Sequence, residues 1–186
     1  MKILFFDTEI NNFRQTRIIQ LAWHLVNYKE METLYRGEFL IKPNGWVIPE
    51  EPFWIEHGFN TQKSYREGYA IETVIDLFMP SANDADIVVT HNIPFDFRVL
   101  EGELLRLGTN FPPIPRICTM SASKDHCRIP LKGKNGYKPP KLDELYFFLF
   151  NKPMKGAHNA GYDVDACMLS FFELVKRGVI KLPIPA

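Results

Sequence analysis

The chain has 186 residues, 22 basic against 22 acidic, and is 46% hydrophobic and 13% aromatic. That is the profile of a single globular domain spanning residues 1–186, long enough to bury roughly 70% of its unfolded surface without disulfides or a structural metal. Three cysteines in no CxxC pair (Cys118, Cys127, Cys167) exclude a disulfide scaffold and suit a reducing, cytoplasmic setting. The lack of an 18-residue apolar run or signal peptide excludes a membrane span or anchor, and zero net charge argues against a general nucleic-acid coat.

Residues 2–7 are consecutive large apolar side chains closed by a carboxylate, the pattern of a central strand buried on both faces. From 17 to 26 the odd positions Ile19, Leu21, Trp23 and Leu25 are apolar while the even ones include Gln20 and His24, so this strand has one drier face. A turn at 27–30 and a strand at 34–41 complete an antiparallel meander. Asn44-Gly45, Pro49 and Pro52 mark 43–68 as a loop with one short helix near 53–56.

Ile71, Val74, Ile75 and Phe78 predict a helix over 70–79, stopped by Pro80, and 86–91 reads as a β-branched strand. Asn92 is placed to cap a helix whose buried face carries Ile93, Phe97, Leu100, Leu104 and Leu107, with Pro94 in its first turn and Gly108 at its end. A strand at 114–118, a basic loop and a helix at 142–150 follow. The last helix carries Val164, Cys167, Met168, Phe171, Leu174 and Val175 on one stripe and stops at Gly178. This order is α/β, a mixed sheet of antiparallel meander and parallel strands flanked by helices.

Three segments hold the acids of interest. Asp7 and Glu9, two residues apart on a strand end, project from one face about 6.6 Å apart along the strand, where two like charges call for a cation; read separately, the first closes a strand and the second begins a solvated loop. Asp96 falls in the first turn after His91-Asn92, either as a ligand or as a surface acid complementing the helix dipole, and His91 reads equally as a satisfied strand-end histidine. Asp163 follows His158 by five residues, beside the apolar stripe and therefore toward the sheet edge. All three segments lie at strand ends or helix starts, where ligands bind on open α/β sheets, and hard oxygen donors select Mg²⁺ or Mn²⁺ over zinc.

From Phe5 to about Lys176 the sequence resembles the DnaQ-like 3′-to-5′ exonucleases of the DEDD class, within the ribonuclease H-like fold. The resemblance is carried by Phe5-Phe6-Asp7-Thr8-Glu9, by His91-Asn92-x-x-Phe95-Asp96 and by His158-x-Ala160-x-x-Asp163. The histidine five residues before the last aspartate points to the histidine (DEDDh) subclass, since Tyr162 is at the wrong offset for the tyrosine one. The resemblance implies that Asp7, Glu9, Asp96 and Asp163 hold two divalent cations, Mg²⁺ or Mn²⁺, about 3.5–4 Å apart. It also implies that His158 takes a proton from the attacking water, and that Thr8, Ile10, His57, Asn92 and Phe95 contact substrate. His57-Gly58 is similar to a His-Gly pair that the family places near the terminal nucleotide; a plain loop histidine is the other reading.

The chain departs from the family after Asp-x-Glu, with Ile10-Asn11-Asn12 in place of a small pair such as Thr-Gly. The implied substrate is a single-stranded or frayed 3′ end, DNA by preference, with an RNA-trimming, oligoribonuclease-like activity and a non-catalytic binding module as alternatives. Homodimerisation, a polymerase partner and a role in proofreading or repair are left open. Residues 116–141 hold seven bases (Arg116, Lys124, Arg128, Lys132, Lys134, Lys138, Lys141) and one acid, Asp125, either a backbone-tracking loop or a solvated one.

Overall fold

The computed structural model describes residues 1–182 apart from Phe13, Gln15 and Lys134. The apolar run after Met1 forms β1 (Lys2–Ile10), which pairs antiparallel with β2 (Ile18–Asn27), itself antiparallel to β3 (Glu32–Leu40). On its other side β1 takes β4 (Ile87–Thr90) in parallel, followed by β5 (Arg116–Cys118). The order β3-β2-β1-β4-β5 is the mixed, ribonuclease H-like sheet expected from the sequence, with β1 at its centre.

Seven helices are described: α1 (Pro52–Glu56), α2 (Thr61–Glu67), α3 (Ile71–Asp84), α4 (Ile93–Arg106), α5 (Thr119–Cys127), α6 (Leu142–Phe150) and α7 (Ala160–Lys176). None is long and apolar enough to cross a membrane. The alternation of β1 sorts the core into two layers. Leu4, Phe6 and Ile10 pack with α3 and α4, whereas Ile3 and Phe5 pack with α6 and α7. Phe6 meets Phe78 and Phe97 edge-on, with ring centroids 5.8 and 5.4 Å away. These contacts seat α3 and α4 against the strand that carries Asp7 and Glu9.

Several elements differ from the sequence-based expectation. β2 has no dry and wet sides: α7 covers its even face, where Gln20 is only 3% exposed with both ends of its amide hydrogen-bonded. Pro80 does not stop α3, which runs on to Asp84. The carbonyl that Pro80 leaves unpaired belongs to exposed Asp76, where water can satisfy it, and packing holds the last turn through Ala82 and a 3.2 Å bond from Trp23 Nε1 to Ser81 Oγ.

The segment read as a loop with one helix contains a second, α2, started by Asn60, whose side chain accepts the Lys63 amide at 2.8 Å. Likewise α5 occupies part of the basic segment. Its polar residues turn inward, and Ser123 Oγ donates to the Thr119 carbonyl at 2.7 Å. Asn92 caps α4 with its backbone carbonyl, which accepts the amides of Phe95 and Asp96 at 2.9 and 3.1 Å, and its side chain makes no cap bond.

Removing a ring that joins both flanking helices to the central strand leaves a void that the rigid sheet cannot close. Phe6→Ala is expected to cost about 3–5 kcal/mol in equilibrium urea unfolding; a loss below about 1 kcal/mol would show that the layer repacks without it.

Candidate active site

The site lies where β1 ends and α4 and α7 begin. Strand alternation puts Asp7 and Glu9 on the α7 side, and the first turn of α7 brings Asp163 to them. One ligating atom from each of the three lies within 4.8 Å of the other two. Asp96 stands outside this tight trio, although its charge is felt by Asp7 and Glu9. It is 3% exposed, so it is not a surface acid complementing the helix dipole. Thr8 Oγ1 donates to its Oδ1 at 3.3 Å, and its own amide donates to the Asn92 carbonyl.

Four carboxylates this close and this dry resist ionising together. Burial first, and then the charges of Asp96, Asp163 and Glu9, hold the Asp7 carboxyl well above the usual range. Burial followed by Asp163 and Asp96 moves Glu9 up to about 8. Burial raises Asp96 to about 7 against the pull of the Thr90 and Thr8 hydroxyls, and raises Asp163 to about 7 as well. Proton binding or a cation relieves such a cluster.

The donor set fits a hard divalent ion. Every candidate ligand is an oxygen, and Asp163 Oδ1 is buried with no hydrogen-bond partner among the described residues. The neighbouring Cys167 thiol contacts Thr119 Oγ1 at 3.8 Å and is held protonated by burial, so no thiolate competes.

His158 precedes the α7 cap in a left-handed conformation (φ 65°), and its amide donates to Asp163 Oδ2 at 3.3 Å. Its ring lies 4.6 Å from that of His57 and 5.1 Å from Phe53, centroid to centroid. Burial, and then His57, lower its pKa, which keeps the imidazole neutral and able to accept a proton near neutral pH. His57 Nδ1 sits 2.6 Å from the Phe53 carbonyl, and only a protonated nitrogen can pair there, so Nδ1 carries the hydrogen.

Above the acids opens a cavity of about 500 Å³ with apolar walls from Ile10, Phe53, Trp54, Phe95 and Leu142. Thr8, Asn92 and His91 also line it. Thus every sequence-predicted site residue reaches the cavity except His57, whose ring packs against Phe53 and His158. Thr8, marked for substrate contact, has its hydroxyl engaged by Asp96. Sequence reasoning missed Phe53, Trp54 and Leu142; the compact aromatic pair after Pro52 was the available signal.

The departure at Ile10-Asn11-Asn12 has a structural counterpart. Asn11 is 1% exposed, and its Oδ1 accepts the amides of Asn12 and Arg17 at 2.8 and 2.9 Å. The loop after Glu9 is therefore closed by an asparagine side chain. Trp54 Nε1 fastens α1 beside it through the Ile10 carbonyl, at 3.0 Å. Arg17 Nε then meets the buried Glu103 of α4 at 2.7 Å.

His91 proves to be a satisfied buttress. Its Nε2 pairs with the Pro140 carbonyl at 3.0 Å, which leaves Nδ1 to accept from Thr119 Oγ1 at 2.9 Å. Burial lowers its pKa to about 4. In the basic segment, Arg116 is paired with Glu101 and Lys138 with Glu144, and Lys134 lies outside the described residues.

A ribonuclease H-like sheet that gathers carboxylates from the end of its central strand and from two helix starts defines the nuclease branch of this fold. The RNase_T exonuclease family model matches residues 4–171, and the chain belongs to that family, among the DnaQ-like 3′-to-5′ exonucleases. In fold it is similar to Exonuclease I of E. coli, solved with a dT13 oligonucleotide, at 18% identity and a TM-score of 0.75 over 94% of this chain and 41% of that one. Exonuclease I of Methylocaldum szegediense gives 18% identity and 0.73 over 95% and 40%. The nuclease domain of 3′hExo, a DEDDh family member bound to rAMP, gives 15% and 0.68 over 96% and 93%. The chain spans about two fifths of the length of the Exonuclease I structures. Comparison with curated protein sequences gives no match.

Two outcomes follow from this electrostatic arrangement. In chelator at pH 8, Asp7→Asn removes a group whose ionisation the crowded cluster opposes, and the midpoint of thermal unfolding is expected to rise by about 2–4 °C. The same variant should lose the further rise that Mg²⁺ gives the unmutated protein; scanning calorimetry reads both, and a lowered midpoint in chelator would contradict the repulsion. For His91 the native pKa is depressed, so between about 6.5 and 4 the unfolded state binds the proton and the native state does not. Its contribution to stability is full above pH 6.5 and is lost as pH falls through that window. A ¹⁵N NMR titration should find this ring neutral down to about pH 5; a midpoint near 6.5 would contradict its burial.

Proposed function

We propose that the protein is a DEDDh-type, two-metal-ion exonuclease that hydrolyses the terminal phosphodiester of single-stranded or frayed 3′ ends, DNA by preference, and releases nucleoside 5′-monophosphates. The observation that carries this reading is the convergence of Asp7, Glu9 and Asp163 within 4.8 Å, with buried Asp96 beside them and neutral His158 at the rim. The four acids would hold two Mg²⁺ or Mn²⁺ ions. When bound, such ions lower the pKa of water and stabilise the charge that develops on the leaving oxygen.

The chain's own residues supply the rest. His158 accepts the proton of the attacking water. The water oxygen bonds to the terminal phosphorus as the bond from phosphorus to the 3′ oxygen of the preceding nucleotide breaks, and that oxygen leaves with the bonding pair and takes a proton from solvent water to become the 3′ hydroxyl. Ile10, Phe53, Trp54, Phe95 and Leu142 offer apolar surfaces on which terminal bases stack and from which water is displaced. Thr8 orients Asp96, and the cap of Asn159 on the amides of Gly161 and Tyr162 steadies the turn that presents Asp163.

The preference for DNA is supported by the likeness in fold to Exonuclease I bound to dT13 and dA16. A ribonuclease reading has its own support in the DEDDh neighbour bound to rAMP. Assays of 5′-labelled DNA and RNA oligonucleotides with Mg²⁺, Mn²⁺ or chelator separate the two. A ladder shortening from the 3′ end is expected, metal-dependent and abolished in Asp163→Ala. His158→Ala should lose roughly 10²- to 10⁴-fold in rate while retaining metal binding. Well-folded protein that binds oligonucleotides and cleaves neither would make it a binding module.

A further inference from the structure

Behind the acids, on the side of the sheet away from α4, a polar chain runs from exposed Glu38 on an edge strand through buried Gln20 to the start of α7. Ala160 is the first residue of that helix, and its amide is one of the four that no helical carbonyl can satisfy. The Ala160 side chain is fully buried, so the amide lies where an unpaired donor is costly. Gln20 Oε1 accepts it at 2.9 Å. Gln20 Nε2 in turn donates to Glu38 Oε1 on β3 at 2.9 Å. This second bond selects which end of the amide faces the helix, because only the carbonyl oxygen can serve Ala160 once the NH₂ faces a carboxylate.

Two further features place this chain in register with the site. In the β1–β2 ladder Gln20 stands directly opposite Glu9, so the two side chains rise from the same face of adjacent strands. Gln20 therefore touches the turn that carries Asp163 from a point fixed beside Glu9. On the helix, a Cβ at Gly161 would meet the Glu38 carboxylate and push that flexible side chain aside, so glycine is what lets the two approach this closely. The carboxylate of Glu38 also faces the positive end of a 17-residue helix, where a negative charge is favoured.

We propose that Gln20, held in orientation by Glu38, is a positioning residue that sets the separation of Glu9 and Asp163 and so tunes the affinity of the carboxylate site for divalent cations. It touches neither substrate nor the reacting atoms. The inference rests on the metal-binding reading above. Its effect differs from that of a general core residue: a core residue lowers stability and leaves the affinity of the folded site alone, whereas a spacer changes that affinity.

The test is calorimetric titration of Mn²⁺ into the full chain, with kinetics on a labelled oligonucleotide. Gln20→Met keeps the volume and removes both hydrogen bonds. It is expected to weaken Mn²⁺ binding at least fivefold and to lower kcat at fixed metal, with KM for the oligonucleotide within twofold. Folded Gln20→Met that binds Mn²⁺ as tightly as the unmutated protein overturns the proposal.

Should that variant fail to fold, Glu38, exposed on the edge strand, carries the test. Glu38→Ala should weaken Mn²⁺ binding at least twofold, and Glu38→Gln, which keeps an acceptor for Gln20, should restore it; unchanged affinity in Glu38→Ala overturns the inference. Absence of Mn²⁺ binding by the unmutated protein would overturn the metal reading itself and this inference with it.

Discussion

Mutual repulsion among four carboxylates, buried Asp96 and half-buried Asp7, Glu9 and Asp163, is the constraint around which this molecule is arranged. Placing Asp7, Glu9, Asp96 and Asp163 together opposes folding in the absence of a counter-charge, as their raised pKa values reflect. The surrounding structure holds them regardless. The two acids of β1 are fixed by their pairing with β2, just beyond the stretch of β1 that is also paired with β4, Asp96 by hydroxyls and a capped helix start, and Asp163 by the Asn159 cap and the His158 amide. Such a site gives up native stability in exchange for a strong field that a divalent ion can complete.

The apolar walls answer the acids in a different way. Phe53, Trp54 and Phe95 hold water away from one side of the cluster, which strengthens each charge interaction within it. They also present flat surfaces that do not depend on base identity, in keeping with a family that degrades sequence from its end. Partial burial of the His158 ring lowers its pKa, helped by the His57 ring that meets it edge-on.

Much of this was legible in the residue pattern, and the exceptions share a cause. The spacing of Asp7 and Glu9, the His-Asn-x-x-Phe-Asp segment and the final helix stripe are local signals, and each element formed where its periodicity pointed. Asp96 could not be told from a surface acid because its burial depends on Thr8, 88 residues away in the chain. Trp54 was hidden for the same reason: its indole finds the Ile10 carbonyl across 44 residues. Helix α5 has serine and threonine where a stripe would be, and its polar groups are satisfied only once folded. Pro80 misled because the rule that proline ends a helix fails where the freed carbonyl faces solvent.

The ion pair of Arg17 with Glu103 has a mechanical meaning. Glu103 is 2% exposed, belongs to the helix that carries Asp96, and grips both the Arg17 side chain and the Ile18 amide beyond the loop that follows Glu9. The first and second acidic segments are thereby clamped into one rigid jaw. The opposing jaw is the turn from 151 to 158, whose residues are exposed apart from Met154 and which ends in His158. Any change in the width of the cleft therefore falls to the exposed side that ends in His158, while the side built on β1 and α4 keeps its shape.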